Sequence, residues 1–431
     1  MKTLVIFILF LIPLHAMAQA PLSLNSAIDT ALKNNFDIQI ARNYSEIGKI
    51  NNSYGMAGGL PSVNATATNT NSLYNLNQKL SNGTIIVKDN VPSYTINSGV
   101  SASIVLFNGL KIMAAKERLA ILQNQSELQL NLQIQNTIAA IMVTYYDIVR
   151  QQSYLRIIQS NIDASNKKSE IVKARYNAGM SNEADFLQSD MDLNLSVQNL
   201  ISQQIIIEEE IINLLELMGV KEFYQVEIKD SIVVDSNINR DSVINFLANN
   251  PQYLSADQQI KINEQIVKEL RAQRYPSVRV NTGYNFNYNT SSAGFNLFTQ
   301  NYGPVLGASL QIPIFNGNIF KTQQDVARYN VRNAELEKES LMYSLKAQAI
   351  KTYQSYQSTL RQINTQQKSY ENAARLVNLV IQRFEVNQAT ILEVKAAQVS
   401  YESAGYMLVN LQYAAKVAEV ELKRLVYQLG F

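Results

Sequence analysis

The sequence predicts a mainly helical chain with a smaller β part, built from two copies of one unit. Three features predict it. Leu110–Ala178 contains no proline or glycine and has apolar residues three or four apart. Other stretches alternate apolar and polar residues with period two. Several short motifs return in the same order at nearly constant offset.

Met1–Ala18 reads as an export signal. Lys2 supplies its positive end, Leu4–Leu14 its apolar run, and Ala16-Met17-Ala18 a cleavage site before Gln19. The mature chain is therefore expected outside the cytoplasm. No later run suggests a membrane-spanning helix, and the absence of cysteine excludes disulfides and lipidation at cysteine.

Composition removes much enzymology. The only histidine is His15, inside the signal, and there is no Cys or Trp. Imidazole acid–base catalysis, thiol nucleophiles and the usual zinc sites are excluded, while carboxylate pairs stay open. A net charge of +2 with 17% charged residues gives no basic surface for nucleic acid. Asp190 and Asp192 near Glu208-Glu209-Glu210 could suggest a metal site, but acids on the wet faces of helices account for them. No metal and no cofactor is expected.

The first repeat is expected over 19–220. Leu24–Met56 is helical, capped by Asn25 or Ser26, interrupted at Asn34-Asn35 and ended by Gly58-Gly59-Leu60-Pro61. Strands follow at about 62–73 and 94–106. On the second, Tyr94, Ile96, Val100, Ala102 and Ile104 fall on one face and Thr95, Asn97, Gly99 and Ser101 on the other. A strand between lipid and a watery lumen needs this pattern, and a half-buried sandwich strand would share it. Phe107-Asn108-Gly109 opens the long helix 110–178. Leu130, Ile134, Ile138, Ile141, Tyr145 and Ile148 make a coiled-coil seam on a rod of about 100 Å. Gly179 breaks it with a left-handed turn, and Ser181 is expected to cap the return helix 181–217, with Glu183 and Asp185 in its first turns.

Residues 221–240 read as a connector with a β-like run, Tyr224–Val234. The unit then recurs over 241–431, with strands at about 277–288 and 302–314 and helices 318–386 and 390–429. Asn34-Asn35 returns as Asn249-Asn250 and Pro61-Ser62-Val63 as Pro276-Ser277-Val278, both at offset 215. Phe107-Asn108-Gly109 returns as Phe315-Asn316-Gly317 and Arg175-Tyr176 as Arg383-Phe384, both at offset 208. The change of seven falls between the strands of a pair, where insertions are tolerated. Tyrosines and phenylalanines near the strand ends suit an aromatic girdle or ordinary β propensity.

Over roughly Leu22–Leu429 the chain resembles the TolC family of outer-membrane efflux and secretion tunnels. The resemblance rests on the duplicated element order, the Phe-Asn-Gly joints and a tip signature. The first tip has Arg175-Tyr176, Gly179 and Asp185-Phe186-Leu187; the second has Arg383-Phe384, Asn387 and Glu393-Val394-Lys395. Asn387 replaces the glycine and is expected to keep the left-handed turn. The resemblance implies a homotrimer, a coiled-coil α-barrel across the periplasm and a 12-stranded transmembrane β-barrel with four strands per protomer. It implies a passive conduit in the outer membrane with a long periplasmic part. Its partners would be outer-membrane lipid, a periplasmic adaptor (membrane fusion) protein and, indirectly, an inner-membrane transporter of RND or ABC type.

Adaptor docking would then fall on Arg175, Tyr176, Gly179, Asp185, Leu187, Arg383 and Asn387. The family's periplasmic gate falls on Phe384 and Glu393, whereas Ala389 and Ala396 stand where the family has an Arg and a second acid. Glu393 either joins an axial ring of carboxylates that attracts cations or complements its helix N-terminus. Two other function classes compete. A periplasmic coiled-coil scaffold without a pore would leave the alternating strands unexplained, and a carboxylate-dependent hydrolase lacks a pocket signature.

Overall fold

A computed structural model describes residues 21–430; the export signal read over Met1–Ala18 lies outside them. The element order repeats itself: α1 (Leu24–Asn34), α2 (Phe36–Asn51), β1 (Ser62–Lys79), β2 (Ile85–Phe107), α3 (Lys111–Asn177) and α4 (Glu183–Leu217), then α5 (Arg240–Phe246), α6 (Pro251–Ala272), β3 (Ser277–Ser291), β4 (Phe298–Gln311), α7 (Ile319–Glu385) and α8 (Ile391–Leu425). Both long helices have 67 residues and both return helices 35. The chain forms two compact units. One holds the residues up to Gln39, Gln133–Asn250 and the residues from Leu345 on; the other holds Ile40–Leu132 and Pro251–Ser344.

The second unit carries the sheet, ordered β1-β2-β3-β4 and antiparallel throughout. The register repeats with the sequence: Ser62 faces Ser103 and Val63 faces Ala102, as Ser277 faces Gln311 and Val278 faces Leu310. Paired residues share a face. Ala65, Val100, Tyr284 and Pro304 therefore lie on one side, and Thr66, Gly99, Asn285 and Gly303 on the other. The apolar face is uncovered in the single chain, with Val63, Tyr302, Leu306 and Leu310 exposed. On the other face Gly99 and Gly283 are required by close approach. A Cβ on Gly99 would lie 2.7 Å from the Tyr284 carbonyl oxygen, and one on Gly283 would lie 2.6 Å from that of Val100.

Helices of the same unit run α2, α3, α6, α7 in contact order. Gly48 of α2 sits against Gln123 and Ser126 of α3. Arg118 of α3 pairs with Glu269 of α6, and Lys338 of α7 with Asp257 of α6 at 2.6 Å. The joint at Gly109 is tight: its φ is 65°, and a Cβ there would lie 2.6 Å from the Ala272 carbonyl oxygen.

The first unit is a helical core. Ile28, Ile141, Tyr145, Ile148, Leu214 and Met218 are among its fully buried members. The repeated asparagines share one task there. The Asn35 amide donates to the Leu217 carbonyl at 2.8 Å, and the Asn250 amide to that of Leu425 at 2.9 Å, so each ties down the end of its own repeat's return helix.

Several expectations are corrected. The run Tyr224–Val234 forms no strand, because β propensity needs a ladder partner. The segment bonds to helices instead: Tyr145 donates to Asp230 at 2.5 Å, and just past the run Glu419 accepts the Asp235 N–H at 2.9 Å. β1 and β2 run past 62–73 and 94–106 because a tight hairpin at Leu80–Thr84 keeps the ladder paired through polar residues. β4 stops at Gln311 rather than 314, since Pro313 has no N–H to give. The N-caps are Ser23 and Asn182, not Asn25, Ser26 or Ser181. The Asn182 side chain reaches the Asp185 N–H at 2.7 Å. α8 ends at Leu425 rather than 429, where Tyr427 takes a left-handed φ of 58°.

Candidate functional site

The two helix–turn–helix tips, both in the first unit, are closed by the same backbone motif. In the first, the Gly179 N–H donates to Tyr176 at 3.0 Å and the Met180 N–H to Arg175 at 2.7 Å. In the second, Asn387 donates to Phe384 at 3.1 Å and Gln388 to Arg383 at 2.7 Å. This pair of hydrogen bonds requires a left-handed residue at the turn, and Gly179 (φ 74°) and Asn387 (φ 61°) supply it.

The side chains of the repeated Arg-aromatic pairs diverge. The Arg175 guanidinium crosses to the other tip, lies 4.5 Å from the Phe384 ring centroid and donates to the Phe384 carbonyl. It thus meets the carbonyl-rich end of α7, where the helix dipole favours a cation. Arg383 stays at home, donating to Gln388 at 2.8 Å. Tyr176 stacks on Phe186 at 5.4 Å and stays partly exposed. Phe384 is 4% exposed and packs with Val172, Val380, Ile381 and Val394. The resemblance read Phe384 as a gate side chain, and its ring lies enclosed at the joint of the two tips.

Glu393 forms a capping box. Its Oε2 accepts from the Thr390 N–H at 2.6 Å and from the Thr390 hydroxyl at 3.0 Å, while Thr390 accepts the Glu393 N–H at 3.2 Å. The backbone N–H and then the hydroxyl of Thr390 hold this exposed carboxyl below its ordinary range. Asp185 presents only its backbone to the Asn182 cap. Lys395, where the first repeat has Leu187, donates to Asp192 at 2.9 Å. The other oxygen of Asp192 accepts from Lys168, 1% exposed, at 2.8 Å. Burial raises the Asp192 pKa, but the two ammonium groups outweigh it and hold the carboxyl below the usual range. Among the described residues no group of acids is arranged to hold a metal ion.

A cleft of about 890 Å³ separates the tips, bordered by Arg175, Gly179, Asp185, Asn387 and Leu392. Leu187, Met180, Val386 and Leu392 are exposed nearby. The tips thus expose backbone polar groups and flexible apolar side chains. Sequence reading missed the Asp192 clamp and Met180 and Leu392. The capping box was visible as Thr-x-x-Glu, but the clamp joins Asp192 to Lys168 across a helix turn, 24 residues away, and to Lys395, 203 away, and has no local signal.

The family model described as "Outer membrane efflux protein" matches residues 27–220 and 244–426. No curated protein matches the chain in sequence. Solved structures do match in fold. The outer membrane protein VceC from Vibrio cholerae is 18% identical, with a TM-score of 0.74 over 94% of this chain and 95% of its own. The Campylobacter jejuni CmeC outer membrane channel is 15% identical, with a TM-score of 0.75 over 95% and 87%. The Neisseria gonorrhoeae MtrE outer membrane channel in its open state is 17% identical, with a TM-score of 0.69 over 94% and 88%.

Proposed function

The chain belongs to the outer membrane efflux protein family and is an efflux channel of a tripartite system; on that premise we propose that it works as a homotrimeric passive conduit whose three sheets close one twelve-stranded barrel. One observation carries the assembly. The four-stranded sheet has an apolar face and two unpaired edges, β1 and β4. Open edges in lipid leave backbone N–H and C=O groups unbonded at several kcal/mol each, and four strands cannot close on themselves. The outer strands run antiparallel, so β4 of one copy meets β1 of the next in the correct sense. A scaffold without a pore has no use for such a sheet.

The tips dock the periplasmic adaptor through Arg175, Tyr176, Gly179, Asp185, Leu187, Arg383 and Asn387, and the adaptor links the conduit to an RND or ABC transporter that supplies the energy. Glu393 contributes its carboxylate to a cation-attracting ring at the periplasmic mouth, and Phe384 supports that mouth from within the tip core. Leu187→Glu should leave folding and membrane insertion intact and abolish efflux; sustained efflux would remove Leu187 from the docking surface. Unchanged cation preference in Glu393→Ala channels would remove the ring. The assembly is tested by native mass of protein extracted from the outer-membrane fraction in mild detergent, followed by single-channel conductance. A conducting trimer is expected, and a monomer would overturn it.

A further inference from the structure

A groove of about 500 Å³ opens where α3 and α6 leave the sheet, within the unit that carries it. It starts at the joint of Gly109 with Ala272, and its chemistry changes along its length. At the joint it is apolar, with Phe107, Leu110, Met113 and Tyr275 all exposed. Arg271 and Lys268 follow, three residues apart on one face of α6. Lys268 lies about 6 Å from the level of the joint, and Glu117 and Gln265 lie about 10–12 Å from it. Among the described residues the side chains of Arg271, Lys268 and Glu117 make no hydrogen bond or ion pair. The Gln265 amide oxygen is buried and has no hydrogen-bond partner among them. Two cations and a carboxylate thus border one groove without neutralising each other, beside an unsatisfied acceptor.

The apolar end of the groove falls at a membrane boundary. Phe107 pairs with Val278 and so shares the apolar face of the sheet with Leu310. Ten residues further along β3 is Tyr288, whose ring meets those of Tyr94 and Phe298. Ten residues are about 33 Å of strand, or about 25 Å across a membrane once the strands tilt by about 40°. The apolar band of an outer-membrane barrel has that height. The groove therefore begins where acyl chains give way to headgroups. β2 and β3 beside it are the central strands, so neighbours at the edges β1 and β4 leave it open.

We propose that the groove binds one glycerophospholipid with a primary-ammonium headgroup from the periplasmic leaflet, its chains against Phe107, Leu110 and Met113, its phosphate on Arg271 and Lys268, and its ammonium on Glu117 and Gln265. The order of groups along the groove is the order along such a lipid. An anionic headgroup would suit the two cations but meet repulsion from Glu117. A quaternary ammonium has no N–H to give to Glu117 or Gln265. The other repeat cannot form the same site: offsets 208 and 215 put Asn318, Lys321, Ser53 and Met56 at the positions of Leu110, Met113, Lys268 and Arg271. Each chain therefore carries one site. The proposal rests on the sheet lying in the outer membrane, not on the number of copies.

The test is native mass spectrometry of the full chain, extracted in mild detergent, stripped of lipid and given phosphatidylethanolamine, phosphatidylglycerol or phosphatidylcholine in turn. One phosphatidylethanolamine per chain should persist at collision energies that remove the other two lipids. Lys268→Ala with Arg271→Ala should abolish this retention. Glu117→Gln should bring phosphatidylethanolamine level with phosphatidylglycerol, and Lys88→Ala, at the other end of β2, should change nothing. Equal retention of the three lipids by the unaltered protein, or retention that survives the double variant, means annular lipid only and overturns the site. Preferred retention of phosphatidylglycerol overturns it in favour of an anionic lipid. Lipids are counted per chain, so the homo-oligomer proposed above stands or falls separately.

Discussion

Asp192 is the residue on which most polar structure at the tips converges. It holds a buried lysine and an exposed one, and the two are unequal. Asp192→Ala leaves Lys168 buried without its counter-ion, a loss of about 3 kcal/mol. Lys395→Ala removes a half-exposed partner and should cost below about 1 kcal/mol. Urea unfolding of the two variants checks the order. The folded Asp192 pKa is depressed, so its contribution is complete above the ordinary carboxylate range and fades as pH falls through the folded value. Hydrogen exchange at the tips should therefore rise only in acid, and Asp192→Asn should remove that rise. Glu393 obeys the same sign, and its Thr390 cap can be tested separately. Thr390→Ala should loosen the first turn of α8 by about 1 kcal/mol without changing oligomer mass.

At the scale of elements, the same short motifs close corresponding helices in both repeats. Gly179 and Asn387 both take left-handed φ, but only glycine does so without a Cβ penalty. Asn387→Gly should be neutral or slightly stabilising, and Asn387→Val should destabilise the turn by roughly 1–2 kcal/mol. Protease sensitivity of the second tip reports both. Gly109 is stricter than either, because φ and the nearby Ala272 carbonyl both exclude a side chain. Gly109→Ala should impair folding itself, seen as loss of the protein from the outer-membrane fraction.

For the whole molecule, the two repeats are alike in backbone and unlike in surface. Ile262 is buried within the chain, and its counterpart Ile47 is exposed in the single chain. Ile47→Glu with Ile50→Glu should lower oligomer yield by tenfold or more in native mass while circular dichroism keeps its helical signal. Ile262→Glu should instead destabilise each chain. Equal behaviour of the two sets would mean that the repeats do not divide their work in this way.

Much of this protein is written locally. Heptad spacing in α3, alternation in β2 and β3, and the recurrence of Asn-Asn, Phe-Asn-Gly and Arg-aromatic motifs are periodic signals over neighbouring residues, and they determined element type, order and duplication. The left-handed turns could be read for the same reason, since a φ preference belongs to one residue. Other features needed the tertiary structure. Asn35 reaches Leu217, Asp192 reaches Lys168 and Lys395, and the connector gives up its strand for bonds to Tyr145 and Glu419. The burial of Phe384 depends on how two distant helix ends pack, and here Arg175 and Val394 lie against it. Local sequence sets what a segment can become, because dihedral preference and hydrophobic period are short-range. Which polar groups find partners is long-range, because burial and hydrogen bonding depend on what the fold brings together.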